Sequence, residues 1–399
     1  MNKIYQTAII GGGAAGLMSA VELVSGDKAL TGDNVVILER NDRVGKKLVA
    51  TGNGQGNLTN DNIDARFYYG EKSFIDAFIE NYRQTNLIEY LKNLGIFTFS
   101  SKDGKVYPLS RQASSVLDIL RAYLNEKGVE EKTSCEVKNV TFDKGCYKIK
   151  TENQTFLAKT VILATGGAVA KQFGTDGSAY KLAQNLGHKK TEIFPSLVQL
   201  KTELDKIRGL KGLKEVARVT AIVNDKEVAT ATGDLLFTEF GVSGSTIFTL
   251  SASVVDKNDA KLKVEFLPDL NQSQVENILL SREKNTVFSK ENFLLGILNK
   301  RIGQAVLKTA RNLNAKEVSH ALKNFTLKVT GNLGANYAQV TKGGIKTDTI
   351  DKHTYESKLM KNLFIVGEAL DVDGDCGGYN LTFAFVSGIL ASKTIKERV

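Results

Sequence analysis

Ile4 to Ile10 is a short, apolar, β-branched run that ends in Gly11, Gly13 and Gly16, and helix-forming residues follow from Ala14 to Val24. Strand, GxGxxG turn and helix in direct succession constrain this chain more than any other feature. The first glycine permits the tight turn, the second lets backbone approach a pyrophosphate, and the third lets the helix pack on the strand. The amides of Ala14 and Ala15, at the start of the helix, then face the phosphates. A bare glycine turn would satisfy the same letters, so the context decides. Asn34 to Arg40 (NVVILER) is a second continuous apolar run of the kind that buried parallel strands show. Glu39 closes it with Arg40 beside it, about 20 residues beyond the last glycine, where an acid accepts hydrogen bonds from ribose hydroxyls. The expected unit is a βαβ dinucleotide site, and an acid at that position argues against a 2′-phosphate and hence against NADP in it.

The segments that follow point to FAD rather than NAD. Arg43 to Asn60 (RVGKKLVATGNGQGNLTN) is a long Gly- and Asn-rich stretch containing Lys46, Lys47, Thr51, Gly52, Asn53, Gly54 and Asn57. An NAD domain has no need of it, and a longer ligand lying along it explains its length. A second glycine pair closes Ala164, Thr165, Gly166 and Gly167, and a third turn runs Gly374 to Asn380 (GDCGGYN) into a final helix. Three such turns at strand ends converge on one long ligand at the carboxyl edge of an open α/β sheet.

At 399 residues more than one domain is expected. Strand and helix patterns of the α/β kind occupy 1–193 and return in 341–399, around an insert at 194–340. The insert reads as β-rich over 194–270 and about 325–340, where runs such as Ala217 to Val223 and Lys263 to Leu267 alternate, and as helical and basic over 271–324. Phe74 to Leu94 and Ser114 to Asn125 carry helical spacing, and Glu136 to Phe142 with Cys146 to Thr151 reads as a small antiparallel pair. Three cysteines without a CxxC pair exclude a thiol-disulfide flavoenzyme, and three scattered histidines give no metal site. No apolar run reaches the roughly 20 residues of a membrane span, and no cleavable leader is seen, so a cytoplasmic protein is expected. The net charge of +9 is regional: Ser281 to Val329 holds ten Lys or Arg (Arg282, Lys284, Lys290, Lys300, Arg301, Lys308, Arg311, Lys316, Lys323, Lys328) against three Glu. No aromatic residues interleave with these charges, and Phe288, Phe293 and Phe325 read as core.

IIGGGAAGL, GKKLVATGNGQGNLTN, KDGKVYPLSRQASSV, ATGG, LLFTEFGVSG and GEALDVDGDCGGYNLTFAFVSG, in this order, resemble the HI0933/YhiN-like flavoproteins, also labelled BaiN-like or aminoacetone-oxidase-like. The resemblance covers essentially the whole chain. It implies a glutathione-reductase-like FAD-binding Rossmann domain with an inserted domain, α/β overall. It also implies roles: Glu39 on the adenosine ribose, the Val137 backbone at the adenine, and Gly367 and Glu368 near the ribityl chain. Asp373, Gly377, Gly378, Tyr379, Asn380 and Leu381 would then meet the flavin, where a helix start favours negative charge at the N1/C2=O region. Two departures stand out. The family usually has Arg-Cys at Gln55 and Gly56 and a Pro at Ser245, so a catalytic family cysteine has no counterpart here.

Bound flavin accepts or donates hydride, which leaves positioning and proton supply to the protein. Cys376 is the candidate acid, against the reading that it packs on the ring. Lys46 and Lys47 are candidates for an anionic substrate, against a solvated pair, and Tyr107, Arg111 and Tyr379 are further donors. Asp371, Asp373 and Asp375 read as a solvated, helix-capping turn. Three functions compete. The first is reduction of an activated C=C bond in a uracil of 23S rRNA, with the basic stretch 281–329 contacting phosphates. The second is a small-molecule enone reductase or amine oxidase. The third is a non-catalytic flavin-bound ribosome factor. A single GxGxxG leaves NADH or NADPH only a transient place at the flavin.

Overall fold

The computed structural model describes residues 3–26, 28–284, 288 and 290–399. Two compact units emerge, 1–193 with 340–399, and 194–339.

The first unit is built on a seven-stranded sheet ordered Glu130–Lys132, Val35–Leu38, Ile4–Ile10, Thr155–Leu163, Cys146–Thr151, Val137–Asp143, with Leu363–Ile365 pairing on Thr155–Leu163 as well. Ile4–Ile10 pairs in parallel with both Val35–Leu38 and Thr155–Leu163. Thr155–Leu163 divides one edge, since its first half takes Cys146–Thr151 antiparallel and its last residues take Leu363–Ile365 in parallel. Ile9, Val36, Ile37, Val161 and Ile162 are fully buried, the two-sided burial expected of parallel strands between helices. Helix Ala14–Leu23 leaves the first strand through the glycine turn, and the closing helix Tyr379–Glu397 packs on it. They cross closely: a Cβ on Gly388 would sit 2.6 Å from the Ala15 carbonyl oxygen. Ser392 Oγ donates to the Ser19 carbonyl at 2.9 Å, and Lys396 Nζ donates to buried Glu22.

Several elements differ from the sequence reading. The pattern over Phe74 to Leu94 forms two helices, Lys72–Thr85 and Leu87–Asn93, because Asn86 takes φ 45° and ends the first. Asn is among the few residues that adopt this conformation readily. The loop 43–60 contains a short helix, Lys46–Val49, and a two-residue strand, Thr59–Asn60. That strand forms the edge of a small sheet with Lys105–Pro108 and Thr98–Ser100.

The second unit is a closed barrel of strands Leu200–Thr202, Gly241–Ser243, Lys226–Phe237, Lys214–Val223, Ala260–Phe266 and Phe325–Asn332. Alternating inward residues, with Phe237, Phe266, Leu262 and Phe325 among them, fill it. Helices Gln272–Glu283, Lys300–Leu307 and Ala315–Lys323 bury Leu279, Ile302, Val306 and Leu322 in the same core. Phe293 and Phe325 are core, whereas Phe288 is half-buried under the Arg282 guanidinium, 4.0 Å from its ring centre. No helix among the described residues is long and apolar enough to cross a membrane.

Candidate functional site

The glycine turn of the first unit separates three tasks. A Cβ on Gly16 would lie 2.0 Å from the Gly11 carbonyl oxygen, so the strand–helix packing itself demands glycine. Around Gly13 a Cβ would meet nothing within 4 Å, and that open space lies at the start of the helix. No side chain caps this helix and no acid stands in its first turn, which leaves the amides of Ala14 and Ala15 for an anion. Glu39 is buried and oriented: Oε2 accepts from Gly12 N, and Oε1 from Asn41 N and Nδ2, each at 2.8 Å. Two carboxylate oxygens offer about four acceptor positions, so room for a further donor remains. Arg40 reaches away, to Asp176 at 2.5 Å and Glu136 at 3.5 Å. Val137 is buried at the start of its strand, paired with Thr151.

At the end of Thr155–Leu163, Ala164 N donates to the Ile10 carbonyl, placing the ATGG turn beside the first glycine turn. Thr165 Oγ1 is buried and has no hydrogen-bond partner among the described residues. Thr341 is poised against Gly167, with Oγ1 accepting from Ala168 N at 2.9 Å. Gly367 N donates to Ser387 Oγ, and Glu368 is held on both oxygens: Oε1 accepts from Thr341 N and Oγ1, and Oε2 from Lys47 Nζ. Lys47 is therefore committed to an internal ion pair, while Lys46 pairs with exposed Asp42 at 2.7 Å. Thr51 Oγ1 donates to the Leu48 carbonyl, and Gly52, Asn53 and Gly54 form an exposed arch. Gly56, where the family carries cysteine, is buried, and a Cβ there would meet Ala113 at 3.0 Å with φ at 76°. A side chain at that position would be strained.

The third turn is braced from several sides. Asn380 Oδ1 accepts from Gly374 N and its Nδ2 donates back to the Gly374 carbonyl. The Asn57 amide bridges the Thr59 carbonyl and Gly378 N at 3.0 Å each, and Asn60 Nδ2 donates to the Gly377 carbonyl. Tyr379 stacks on Phe67 at 4.7 Å and meets Tyr68 edge-on, with its hydroxyl pushed up to about 12 by burial and by Asp375. Leu381 packs against the core.

The acids here are not a solvated turn. Asp373 is 2% exposed, and its Oδ2 has no partner among the described residues. Burial pushes it up to about 8; Lys342 opposes this, while Asp371, Glu368 and Asp375 add to it. Asp375, held by the Tyr69 hydroxyl at 2.9 Å, is pushed by burial to about 6, and burial also raises Asp371. Strand pairing buries this segment: Val372–Gly374 lies antiparallel to Tyr68–Gly70. Local sequence shows no sign of that partner.

Cys376 is half-buried, and burial raises its thiol, with Asp375 adding and Lys105 opposing. Lys105 and Tyr107 stand on the strand that pairs with Thr59–Asn60. The charges of Cys376, Lys105 and Arg111 all act on Tyr107, whose hydroxyl burial raises. Cys376 and Arg111 each lie within electrostatic reach of Tyr107, whereas Lys47 is engaged with Glu368 and the Tyr379 ring packs on Phe67 and Tyr68. Sequence reasoning missed Lys105 and Phe99, which sit on strands too short to show a period, and Phe97 and Leu109, which flank those strands. A Ser–His pair, His188 Nε2 with Ser357 Oγ at 2.9 Å, is buried, and the hydroxyl already accepts from Leu359 N and Met360 N. Its role is structural.

These residues fit FAD. The open cradle at Gly13, the uncapped helix starts and the orphaned Thr165 hydroxyl are the observations that support the fit. In the second unit, Lys284, Lys300, Arg301, Lys308, Arg311, Lys316 and Lys328 are exposed and form no ion pair among the described residues. Lys323 is buried, donating to the Leu267 carbonyl, and Arg282 donates to the Leu295 carbonyl. The side chain of Lys290 lies outside the described residues.

The HI0933-like protein Rossmann domain matches residues 5–394. The chain is 35% identical to a 3-dehydro-bile acid delta(4,6)-reductase of Clostridium scindens over the whole of both chains. It is 24% identical to a ribosomal RNA dihydrouridine synthase of Haemophilus influenzae, again over the whole of both. The structure of 3-ketosteroid delta1-dehydrogenase from Sterolibacterium denitrificans superposes with a TM-score of 0.53 at 13% identity, covering 99% of this chain and 100% of that one.

Proposed function

The chain belongs to the HI0933-like family, whose members are FAD-dependent oxidoreductases, and from that premise we propose that it reduces a C=C bond conjugated to a carbonyl in a small molecule. Bound FAD, once reduced, would supply the hydride. The protein's share is the proton and the grip on the carbonyl. The observation that carries the reading is the cluster at the third turn, where the Cys376 thiol and the Tyr107 phenol, both raised by burial, lie within electrostatic reach of each other and of Lys105. Cys376 Sγ holds the proton that completes the new C–H bond, and the Tyr107 hydroxyl donates to the substrate oxygen as it gains charge. The relative named as a bile acid reductase, at 35% identity, supports a conjugated ketone as the substrate class.

A second reading, a uracil of ribosomal RNA, is favoured by one separate observation: along 281–329, seven exposed cations form no ion pair among the described residues. Two relatives named ribosomal RNA dihydrouridine synthase, each at 24% identity, agree with it. NADH or NADPH would meet the flavin transiently in either case. The deciding experiment measures flavin reoxidation by a conjugated cyclic ketone after NADH or NADPH bleaching, alongside dihydrouridine mapping in 23S rRNA of a deletion strain. Turnover of the ketone with unchanged rRNA supports the first reading. Missing dihydrouridine with an inert ketone replaces it with the second.

A further inference from the structure

The small sheet beside Cys376 presents a surface that its own fold does not use. Phe97 and Leu109 flank its two longer strands and are joined by the Leu109 N to Phe97 carbonyl bond at 2.9 Å. They are 56% and 63% exposed, uncommon for large apolar side chains placed side by side. Next to them runs a stacked column. Phe99 and Tyr107 are cross-strand partners with rings 5.9 Å apart and 26° from parallel, and the Arg111 guanidinium lies 4.7 Å from the Phe99 ring centre. Arg111 forms no ion pair and its guanidinium no hydrogen bond among the described residues. Its backbone sits at φ 51°, a conformation that non-glycine residues adopt at a cost and that clusters at ligand sites. Pro108 fixes it there, its carbonyl accepting from Arg111 N at 2.8 Å.

We propose that this sheet selects the substrate: Phe97 and Leu109 cover an apolar ring system, and Arg111 pairs with an anionic group carried by the same molecule. The proposal rests on the small-molecule reading above and names its substrate class, an apolar conjugated ketone bearing one carboxylate or sulfonate. Charge complementarity commits it to an anion. The guanidinium lies over the Phe99 ring, it has no hydrogen-bond partner among the described residues, and the other cation of the sheet, Lys105, is already neutralised by Asp103 at 2.5 Å. Continuity with the reacting end comes through Tyr107, which stacks on Phe99 and lies within electrostatic reach of Cys376. An exposed pair to such an arginine contributes modestly, roughly three- to tenfold in affinity.

The test compares a conjugated cyclic ketone carrying a carboxylate with its methyl ester, in the FAD-loaded full chain. We expect the carboxylate to be preferred in kcat/KM by roughly three- to tenfold. Arg111→Gln should erase that ratio, while Arg111→Lys keeps part of it. Phe97→Ser and Leu109→Ser should weaken acid and ester alike and leave the ratio intact. Equal kcat/KM for acid and ester in the wild type, or an undiminished ratio in Arg111→Gln, overturns the proposal. Binding of the saturated acid and ester pair, followed by the flavin absorbance change, reads the same ratio without turnover. If neither ketone reacts yet the saturated acid binds better through Arg111, the reaction assigned above fails and the selecting surface stands.

Discussion

The two helix-opening glycine turns of the first unit, at 11–16 and at 374–378, use similar backbone for different surroundings. Each opens a helix with no acid in its first turn and no cap from the residue before the helix. Around the first, the nearest ionisable group is Glu39, anchored by backbone amides and turned inward. Around the second stand Asp371, Asp373, Asp375 and Cys376, all raised by burial. Environments that push titratable groups away from their ordinary values and from one another mark where protons are handled. The first turn offers free backbone amides, and the second sets buried titratable groups beside them.

Substitutions at the two turns test that contrast. The largest effect is expected from Cys376→Ala, with turnover down by roughly 10²–10⁴ and FAD retained, read by steady-state kinetics and flavin absorbance. Unchanged turnover would reduce Cys376 to packing and make the second turn as inert as the first. At the first turn, Gly16→Ala forces a Cβ to 2.0 Å from a carbonyl oxygen and should cost roughly 1–3 kcal/mol of apoprotein stability in chemical denaturation. Gly13→Ala should leave apoprotein stability alone and weaken FAD binding by about tenfold, since its Cβ would occupy only ligand space. Equal stability losses in the two variants would break the assignment of Gly13 to the ligand.

Asp373 gives the pH dependence. Its folded value of about 8 exceeds the ordinary 3.8, so its contribution to stability is fully present below about 3.8 and is lost as pH rises through 8. Asp373→Asn removes that loss. The variant should gain on the wild type as pH rises from about 4 to about 8, reaching roughly 1–3 kcal/mol, in paired thermal melts. A difference constant with pH would place the proton elsewhere. The smallest effect is expected from Lys300→Glu with Arg301→Glu in the second unit, with ketone turnover unaltered within about twofold. A marked loss of dihydrouridine in cells carrying this variant would favour the RNA reading.

Much of the first unit was legible because its signals are local. GxGxxG, the run Val35–Leu38 and Glu39 each state their place within a few residues, and parallel strands read as unbroken apolar runs. The third turn was legible as a turn but not as an environment. Asp373 looks solvated in sequence because its burial comes from Tyr68–Gly70, a strand three residues long and distant in the chain. Lys47 looked like a free cation because Glu368, its partner, is equally remote. Tyr379 read as a hydroxyl donor, yet its ring is set by Phe67 and Tyr68. Basic residues counted along 281–329 could not reveal that Lys323 is turned inward to the Leu267 carbonyl.

The crossing of Ala14–Leu23 with Tyr379–Glu397, closed at Ala15 and Gly388 and pinned by Ser392 and Lys396, bears on how the protein is born. A ribosome delivers the first helix long before the second. Throughout elongation the first helix waits with the face meant for Gly388 uncovered, and the phosphate cradle it opens has no rear support. A chain cut before the second helix would lack that support, and its hold on a dinucleotide would be weakened accordingly.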